Sequence, residues 1–338
     1  MRNEINMKIY AFKDPFNRTS SSGGAFPALV KAVEKLNECT PVVYGAAFDQ
    51  DFNVIHIRAT SETDLVKLRG SKYVRSDLKD SFSKIIEDLN NDKTVIFSGT
   101  PCQVAAIKKK IETMKIKTDK FFLIDIVCHG TPRPVVWKDF KKWIENREKS
   151  SLTEFSFRYK DSRWKSYPTM AKFDNGKIKV NSFNLRRYTE LFYSDLVLNE
   201  GCYKCKYANL NRISDVTIGD FWGIRKVLPK FPYKEEVSQI LVNTKRGDSL
   251  LQQMLHENKY IICIADLMLA YKYQESFIHP PFRKDKVDEF WNDYENMSFE
   301  KILSKYAGYN FEGFIKHWVK KLLGNTGGIY IIKNILKR

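Results

Sequence analysis

Two short runs rich in β-branched and aromatic residues, "PVVYGAAF" and "FNVIHIRA", flank the turn "DQD". That pattern predicts two neighbouring strands or a hairpin. "SDLKDSFSKIIEDLNND" then spaces its apolar residues at helical intervals, with Ser76 placed to cap the helix. The apolar run "KTVIFSG" predicts a buried strand, and "TPCQVAAIKKKI" a turn and helix whose first turn suits Pro101. A second apolar strand, "KFFLIDIVC", leads into "HGTPRPVVWKDFKKWIEN", again a turn and a helix. Strand, turn and helix repeated in this way imply a right-handed parallel unit. Functional groups in such sheets gather at the carboxyl ends of the strands. "SGTPC" and "VCHG" both hold that position, so Cys102 and Cys128, 26 residues apart, are expected to face one crevice.

From about residue 152 the pattern changes. "LTEFSFRYK", "YPTMAKFD" and "KIKVNSFN" read as antiparallel strands, and "RRYTELFYSDLVLNE" as a helix running into Cys202 and Cys205. "SQILVNTKRGDSLLQQMLHEN" adds a strand and a helix, and "FEGFIKHWVKKLLGNTGGIYIIKNILKR" is a basic amphipathic tail. There is no internal repeat or low-complexity linker. The expected fold class is α/β, with a mixed-sheet core in residues 1–150, an α+β part in 151–280 and a helical basic tail in 281–338.

Composition narrows the function. A chain of 338 residues with 43% hydrophobic content can bury a core without disulfide staples. No apolar run reaches the roughly 18 to 20 residues of a membrane-spanning helix, and "MRNEINMKIYAFKDPFN" lacks the apolar stretch of a signal peptide. A cytoplasmic location is therefore expected, where thiols stay reduced and suggestively spaced cysteines are ligands or reactive groups. The net charge of +17 favours an anionic partner: nucleic acid, a membrane surface, a phosphorylated cofactor or an acidic protein. The lysines of "IKKKIETMKIK" and "WKDFKKWIENREK" read most simply as solvated faces. No zinc-finger spacing, RNA-recognition motif or helix-turn-helix pattern supports nucleic acid.

Of the six cysteines, Cys39 follows a helix-like stretch and Cys263 lies in the apolar strand "YIICIA"; both read as buried structural thiols. Cys102, Cys128, Cys202 and Cys205 occupy turn-like contexts and leave four soft ligands, the number an iron–sulfur cluster or a structural zinc requires. The lone C-x-x-C of "CYKC" serves zinc or a redox dithiol equally well. Structural zinc sites usually draw on two local pairs, whereas two ligands arriving singly from strand ends suit a cluster in a crevice. His129 is a further candidate ligand, although a helix-start histidine bonded to backbone is the simpler reading. "TSSSGGAFPALVKAVEKL" offers hydroxyls, backbone N–H groups and a positive helix end to a phosphate, or is an ordinary serine cap with glycine flexibility. "KLRGSKYVRSD" gathers Arg69, Lys72, Tyr73 and Arg75 around Gly70, either to clamp a pyrophosphate and stack a ring or as a surface loop. Neither stretch matches G-x-G-x-x-G.

Taken in order from about residue 10 to about residue 280, "SSSGGAFPALV", "VVYGAAFD", "LRGSKYVRSDL", "VIFSGTPCQVAAIKK", "VCHGTP", "CYKCKYA" and "SDVTIGDFWG" closely resemble the coenzyme F420 hydrogenase/dehydrogenase beta-subunit family. The resemblance implies an α/β flavoprotein core that binds FAD and carries electrons between an iron–sulfur cluster and the flavin, which exchanges hydride with an organic partner. Members include hydrogenase subunits that reduce a deazaflavin and a plant chlorophyll reductase, and many bacterial relatives resembling this chain belong to surface-polysaccharide loci. Residue by residue, it assigns Ser20, Ser21, Ser22, Gly23 and Gly24, and Gly70, Ser71, Lys72 and Tyr73, to the flavin site, with Arg69 and Thr100 beside them. It makes Cys102, Cys128, Cys202 and Cys205 the ligands of one 4Fe-4S cluster and brings Asp220 and Trp222 near flavin or cluster. Asp220 reads equally well as a turn or cap residue.

One departure matters. Many members begin with a cysteine-rich ferredoxin-like segment, and this chain has no cysteine before Cys39. A separate donor such as a ferredoxin is then implied, or the loss of redox work; nothing indicates that coenzyme F420 itself is used. The resulting expectation is an FAD-dependent iron–sulfur reductase acting on an organic substrate, with a sugar or polysaccharide precursor suggested by the relatives. Two readings compete with it. One is a non-redox binding or assembly protein with structural zinc on the four cysteines. The other is a sugar-transferring enzyme at the membrane surface, whose tail mixes Phe, Trp, Leu and Ile with lysines. A terminal helix docked on the domain explains that tail more simply.

Overall fold

Strand and helix alternate along the chain as the apolar runs dictate. In the computed structural model, which describes residues 7–16, 20–160, 168–232 and 236–324, the order begins β1 (Lys8–Lys13), α1 (Ala25–Asn37), β2 (Val42–Phe48), β3 (Val54–Ala59), α2 (Glu62–Leu68), α3 (Ser81–Asn90), β4 (Val95–Gly99), α4 (Pro101–Thr113) and β5 (Phe121–Ile126). It continues α5 (Pro134–Glu148), β6 (Leu152–Ser156), β7 (Met170–Phe173), β8 (Ile178–Val180), α6 (Arg186–Ser194), β9 (Val216–Asp220), α7 (Ile224–Val227), β10 (Ser238–Val242) and α8 (Lys245–His256). It closes with β11 (Ile261–Ala265), α9 (Leu267–Tyr271), α10 (Lys286–Asn296), α11 (Phe299–Tyr306) and α12 (Phe311–Gly324). Two units divide these elements. One draws on Met1–Pro134, Lys160–Lys165 and Asn199–Pro281, the other on Val135–Tyr159, Ser166–Leu198 and Phe282–Arg338.

The first unit is built on an eight-stranded mixed sheet in the order β11-β1-β10-β9-β5-β4-β2-β3. β2, β4, β5 and β9 run parallel, and β3, β10 and β11 run antiparallel to their neighbours. β4 and β5 are buried on both faces, which is why they read as unbroken apolar runs and lie inside the sheet. Alternate side chains feed two cores. Ile96, Phe122 and Ile124 pack with Leu29, Val33, Leu250 and Met254 of α1 and α8, while Val95, Phe97 and Leu123 pack with Ile85, Val104 and Ile107 of α3 and α4. Burying each such side chain stabilises the fold by about 1.5–3 kcal/mol.

The second unit holds the antiparallel sheet β6-β7-β8 and an aromatic core. There the Trp137 ring lies 4.7 Å from Phe155, 5.1 Å from Phe157 and 5.3 Å from Tyr188.

Some expectations need correction. Ser76 does not cap the helix, which begins at Ser81 behind Asp80. The Asp77 backbone is held against β3, its carbonyl accepting from His56 N at 2.7 Å and its N–H donating to Val54 O at 2.9 Å, so the chain at Asp77 is extended and turns only at Lys79 (φ 43°). The helix entering the paired cysteines stops at Ser194, where Asp195 turns left-handed (φ 63°). Cys39 and Cys263 are exposed rather than buried. Cys39 lies just past Glu38, the left-handed end of α1, and Cys263 lies on the edge strand β11. Of the tail, α12 is present, and residues 325–338 lie outside the described residues.

Candidate functional site

β4 ends where Gly99 pairs with Asp125, one residue before β5 ends at Ile126. α4 starts there at once. Thr100 N donates to Gln103 Oε1 at 3.0 Å, while Gln103 Nε2 donates to Ser76 O at 3.1 Å and Ser76 Oγ at 2.9 Å. The helix start is thereby tied to the "GSKYVRS" loop, and Cys102, exposed in the first turn, lies 3.2 Å from Thr100 Oγ1. Beyond β5, Val127 N donates to Ile218 O at 2.8 Å, so the chain follows β9 for one more residue. Gly219 makes that approach possible, since a Cβ there would stand 2.7 Å from Val127 Cγ2. Cys128 consequently emerges beside the end of β9. Cys202 closes a short 3-10 turn, Glu200–Cys202, held by Asn199. Asn199 donates to Thr131 O from its backbone (3.0 Å) and side chain (2.7 Å), and Thr131 Oγ1 lies 3.7 Å from Cys202 Sγ.

Burial pushes the Cys128 thiol up to about 12, and Cys202, Cys102 and Cys205 add to the rise. Cys205 is also raised, by burial first and then by Cys102 and Cys202. The four thiols therefore share one electrostatic neighbourhood. Among the described residues, however, no group of three or more His, Cys, Asp or Glu side chains could hold a metal ion. A single tetrahedral zinc with Zn–S bonds of about 2.3 Å needs sulfurs only about 3.8 Å apart. A polynuclear cluster binds each thiolate at a different iron and so takes sulfurs spread more widely. Four neighbouring thiols supply the soft donor set that either kind of group takes.

The segment after Cys205 is hung on the sheet by Arg212. Its guanidinium donates to Tyr207 O (2.9 Å), Ile126 O (3.2 Å) and Thr217 Oγ1 (3.2 Å), and stands 3.0 Å from the Asp125 carboxylate. Both side chains are buried, at 2% and 1% exposure. Burial raises the Asp125 carboxyl above its ordinary range, and Arg212 is the largest influence opposing it. No motif in the sequence marks Arg212, Asp125 or Asn199. The aspartate inside "FFLIDI" was the available signal, because a charge in a buried strand requires a partner.

The two loops of the expected flavin site also meet. Ser21 Oγ lies 3.1 Å from Ser71 Oγ, and Ser22 Oγ accepts from Ser238 Oγ at 3.1 Å. Ser238 in turn pairs with Asp220 across β10 and β9. At Gly23 an added Cβ would collide with Phe12 O and stand 2.5 Å from Ser238 N, so only glycine lets this loop lie against β1 and β10. Gly24 caps α1 at φ 92° with no capping side chain and no acidic residue in the first turn. Ser20 is buried and Tyr73 half-buried. Gly70 turns at φ 82°. Arg69 pairs with Glu62 on α2 at 2.6 Å, so it is engaged outside the serine pair. Lys72 Nζ donates to Lys67 O (2.8 Å) and Arg69 O (2.9 Å), and burial lowers its pKa to about 7. Trp222 stands 58% exposed beyond β9.

The family model for the C-terminal part of the coenzyme F420 hydrogenase/dehydrogenase beta subunit matches residues 92–265, which is 174 of the 338. The chain belongs to that family. The matched span contains Thr100, all four thiols, Asp220 and Trp222, while the two serine and lysine loops precede it. A chain of the F420-reducing NiFe hydrogenase complex from Methanosarcina barkeri has a similar fold, with a TM-score of 0.53 over 80% of this chain and 88% of that one, at 14% identity. No curated protein matches the sequence. Membership in a family of hydrogenase and dehydrogenase subunits makes this an oxidoreductase-type protein.

Proposed function

We propose that this protein is an FAD-dependent iron–sulfur oxidoreductase. The observation that carries the reading is the mutual influence of the Cys102, Cys128, Cys202 and Cys205 thiols, four soft donors at the carboxyl edge of the parallel strands. When bound, a 4Fe-4S cluster would relay single electrons and FAD would exchange a hydride equivalent with an organic substrate. The four thiolates would hold the cluster, and Thr100 and Thr131 hydroxyls lie close enough to tune Cys102 and Cys202. The open start of α1 and the Ser20–Gly24 loop suit a phosphate of the FAD, because backbone N–H groups there lack a side-chain cap. Lys72, whose ammonium is fixed by the carbonyls of Lys67 and Arg69 on the neighbouring loop, suits the charge of a phosphate there. A ferredoxin-like donor of acidic character suits a chain of net charge +17. The substrate class, a sugar or polysaccharide precursor, rests on the resemblance alone. No described helix is long and apolar enough to cross a membrane.

The test is the visible spectrum of protein purified without oxygen, with iron, zinc and flavin content. The expected result is a flavin spectrum on a broad iron–sulfur shoulder with about four irons per chain. Cys102→Ser and Cys205→Ser should each remove the shoulder. A colourless, zinc-loaded protein, or unchanged spectra in both variants, would overturn the reading.

A further inference from the structure

The last described helix, α12, presents an apolar face away from the side on which it docks. Gly313 and His317, one turn apart, form the docked side. A Cβ on Gly313 would collide with Gly308 O, and buried His317 lies 5.7 Å from the Phe183 ring. Phe314 meets the same ring at 5.4 Å. Phe311, Ile315, Trp318 and Val319 follow at intervals of four, three and one, which gathers them on another face of the helix. They are exposed there, Phe311 at 80% and Ile315 and Trp318 at 45% each. Large apolar side chains on two successive turns of an exposed helix mark a contact surface rather than a solvated one.

We infer that this face binds an anionic lipid surface, independently of the redox reading above. Charge selects that occupant. Residues 311–338 contain six Lys or Arg against one Glu, and the whole chain carries +17. A second copy would set like charge against like, whereas acidic headgroups offer the opposite sign. Lys316 lies beside the apolar face, paired to Glu312. The fourteen described residues of α12 rise about 21 Å, and no described helix is long and apolar enough to cross a membrane. The helix accordingly lies in the interface, with Trp318 and Phe311 at headgroup depth and lysine at its margin.

The experiment is co-sedimentation of the full chain with vesicles of phosphatidylcholine, with and without phosphatidylglycerol, alongside its oligomeric state without lipid. The wild type should bind the anionic vesicles and release in high salt. Phe311→Ser with Ile315→Ser should weaken binding about a hundredfold, since each side chain contributes about tenfold or more. Lys316→Glu should weaken it at least about fivefold. Because all three side chains are exposed, circular dichroism should be unchanged. Failure of the wild type to bind, equal binding to neutral vesicles, or binding indifferent to the double variant would each overturn the proposal. So would a wild-type dimer that the double variant converts to monomer, because a second copy would then be the occupant.

Discussion

Replacing Arg212 with alanine probes the device that hangs the Cys205 segment on the sheet. The variant leaves Asp125, 1% exposed, without the guanidinium 3.0 Å away, and removes the donors to Tyr207 O and Ile126 O. Removing one partner of a buried ion pair costs about 3–5 kcal/mol. The cost is capped by proton uptake, at about 1.4 kcal/mol for each unit by which the solution pH exceeds the unfolded carboxyl pKa of about 3.9. A loss of about 3–5 kcal/mol at pH 7 is a large part of a typical domain's stability. The pH dependence has a definite sign. Asp125 in the variant has a folded pKa raised above its unfolded value of about 3.9, so its contribution is favourable at low pH and lost as pH rises through the folded value. The variant's deficit should therefore be smaller at pH 5 than at pH 8. Urea titrations read by hydrogen exchange in β5 and β9 peptides would measure it. Asp125→Ala combined with Arg212→Ala should cost about 2–3 kcal/mol less than the sum of the single changes. Iron retention should fall with Arg212→Ala, because the tethered carbonyl of Tyr207 lies two residues past Cys205. A loss under about 1 kcal/mol, or strict additivity in the double variant, would refute the assigned role of this pair.

Gly23→Ala forces a Cβ onto two backbone groups, Phe12 O and Ser238 N, neither of which can rotate away. It should cost about 1–3 kcal/mol and lower flavin content, as read by melting temperature and bound-flavin assay; an unchanged melting point would show that the loop yields freely. Asp88 is buried, which alone would raise its pKa, but donors from Arg58 (2.8 Å), Tyr44 (2.6 Å) and Lys93 (2.9 Å) hold it well below the usual carboxylate range. A depressed carboxyl stabilises above its unfolded pKa of about 3.9 and ceases to do so as pH falls through the folded value. Asp88→Asn should thus be about 2 kcal/mol less stable at pH 7 and approach the wild type towards pH 2 in thermal melts, whereas a pH-independent gap would contradict the linkage.

What was legible in the sequence was local. The apolar runs of β4 and β5 each carry their own turn and helix, so their parallel pairing followed from short-range pattern. Ser76 misled because its surroundings are set by distant groups, the Gln103 amide and the strand β3 that holds Asp77. The placement of β1 between β10 and β11 joins segments more than 200 residues apart, and no periodicity encodes such a pairing. Cys39 and Cys263 obey the general tendency of cysteine poorly because a helix end and a sheet edge leave them in solvent. Arg212 is the subtler omission. In "NLNRISD" it looks like one more surface cation, and only the aspartate within β5 explains its burial.

The site also explains how thiols so scattered in the sequence can be held together. β5 and β9 are parallel neighbours, yet the chain between them passes through most of the second unit, so Cys128 and Cys202 stand 74 positions apart. Closing a loop of that length instead of a crossover of about 12 residues costs only about 1.6 kcal/mol more, because the entropy grows with the logarithm of length. Two hydrogen bonds from Asn199 to Thr131, each contributing about 0.5–1.5 kcal/mol, are enough to offset that increment at the base of the insertion. Arg212 then fixes the chain beyond Cys205 to β5 and β9. The thiols' meeting place is thus determined within the first unit by the strand ends and these clamps, and the insertion can vary in length with little effect on it.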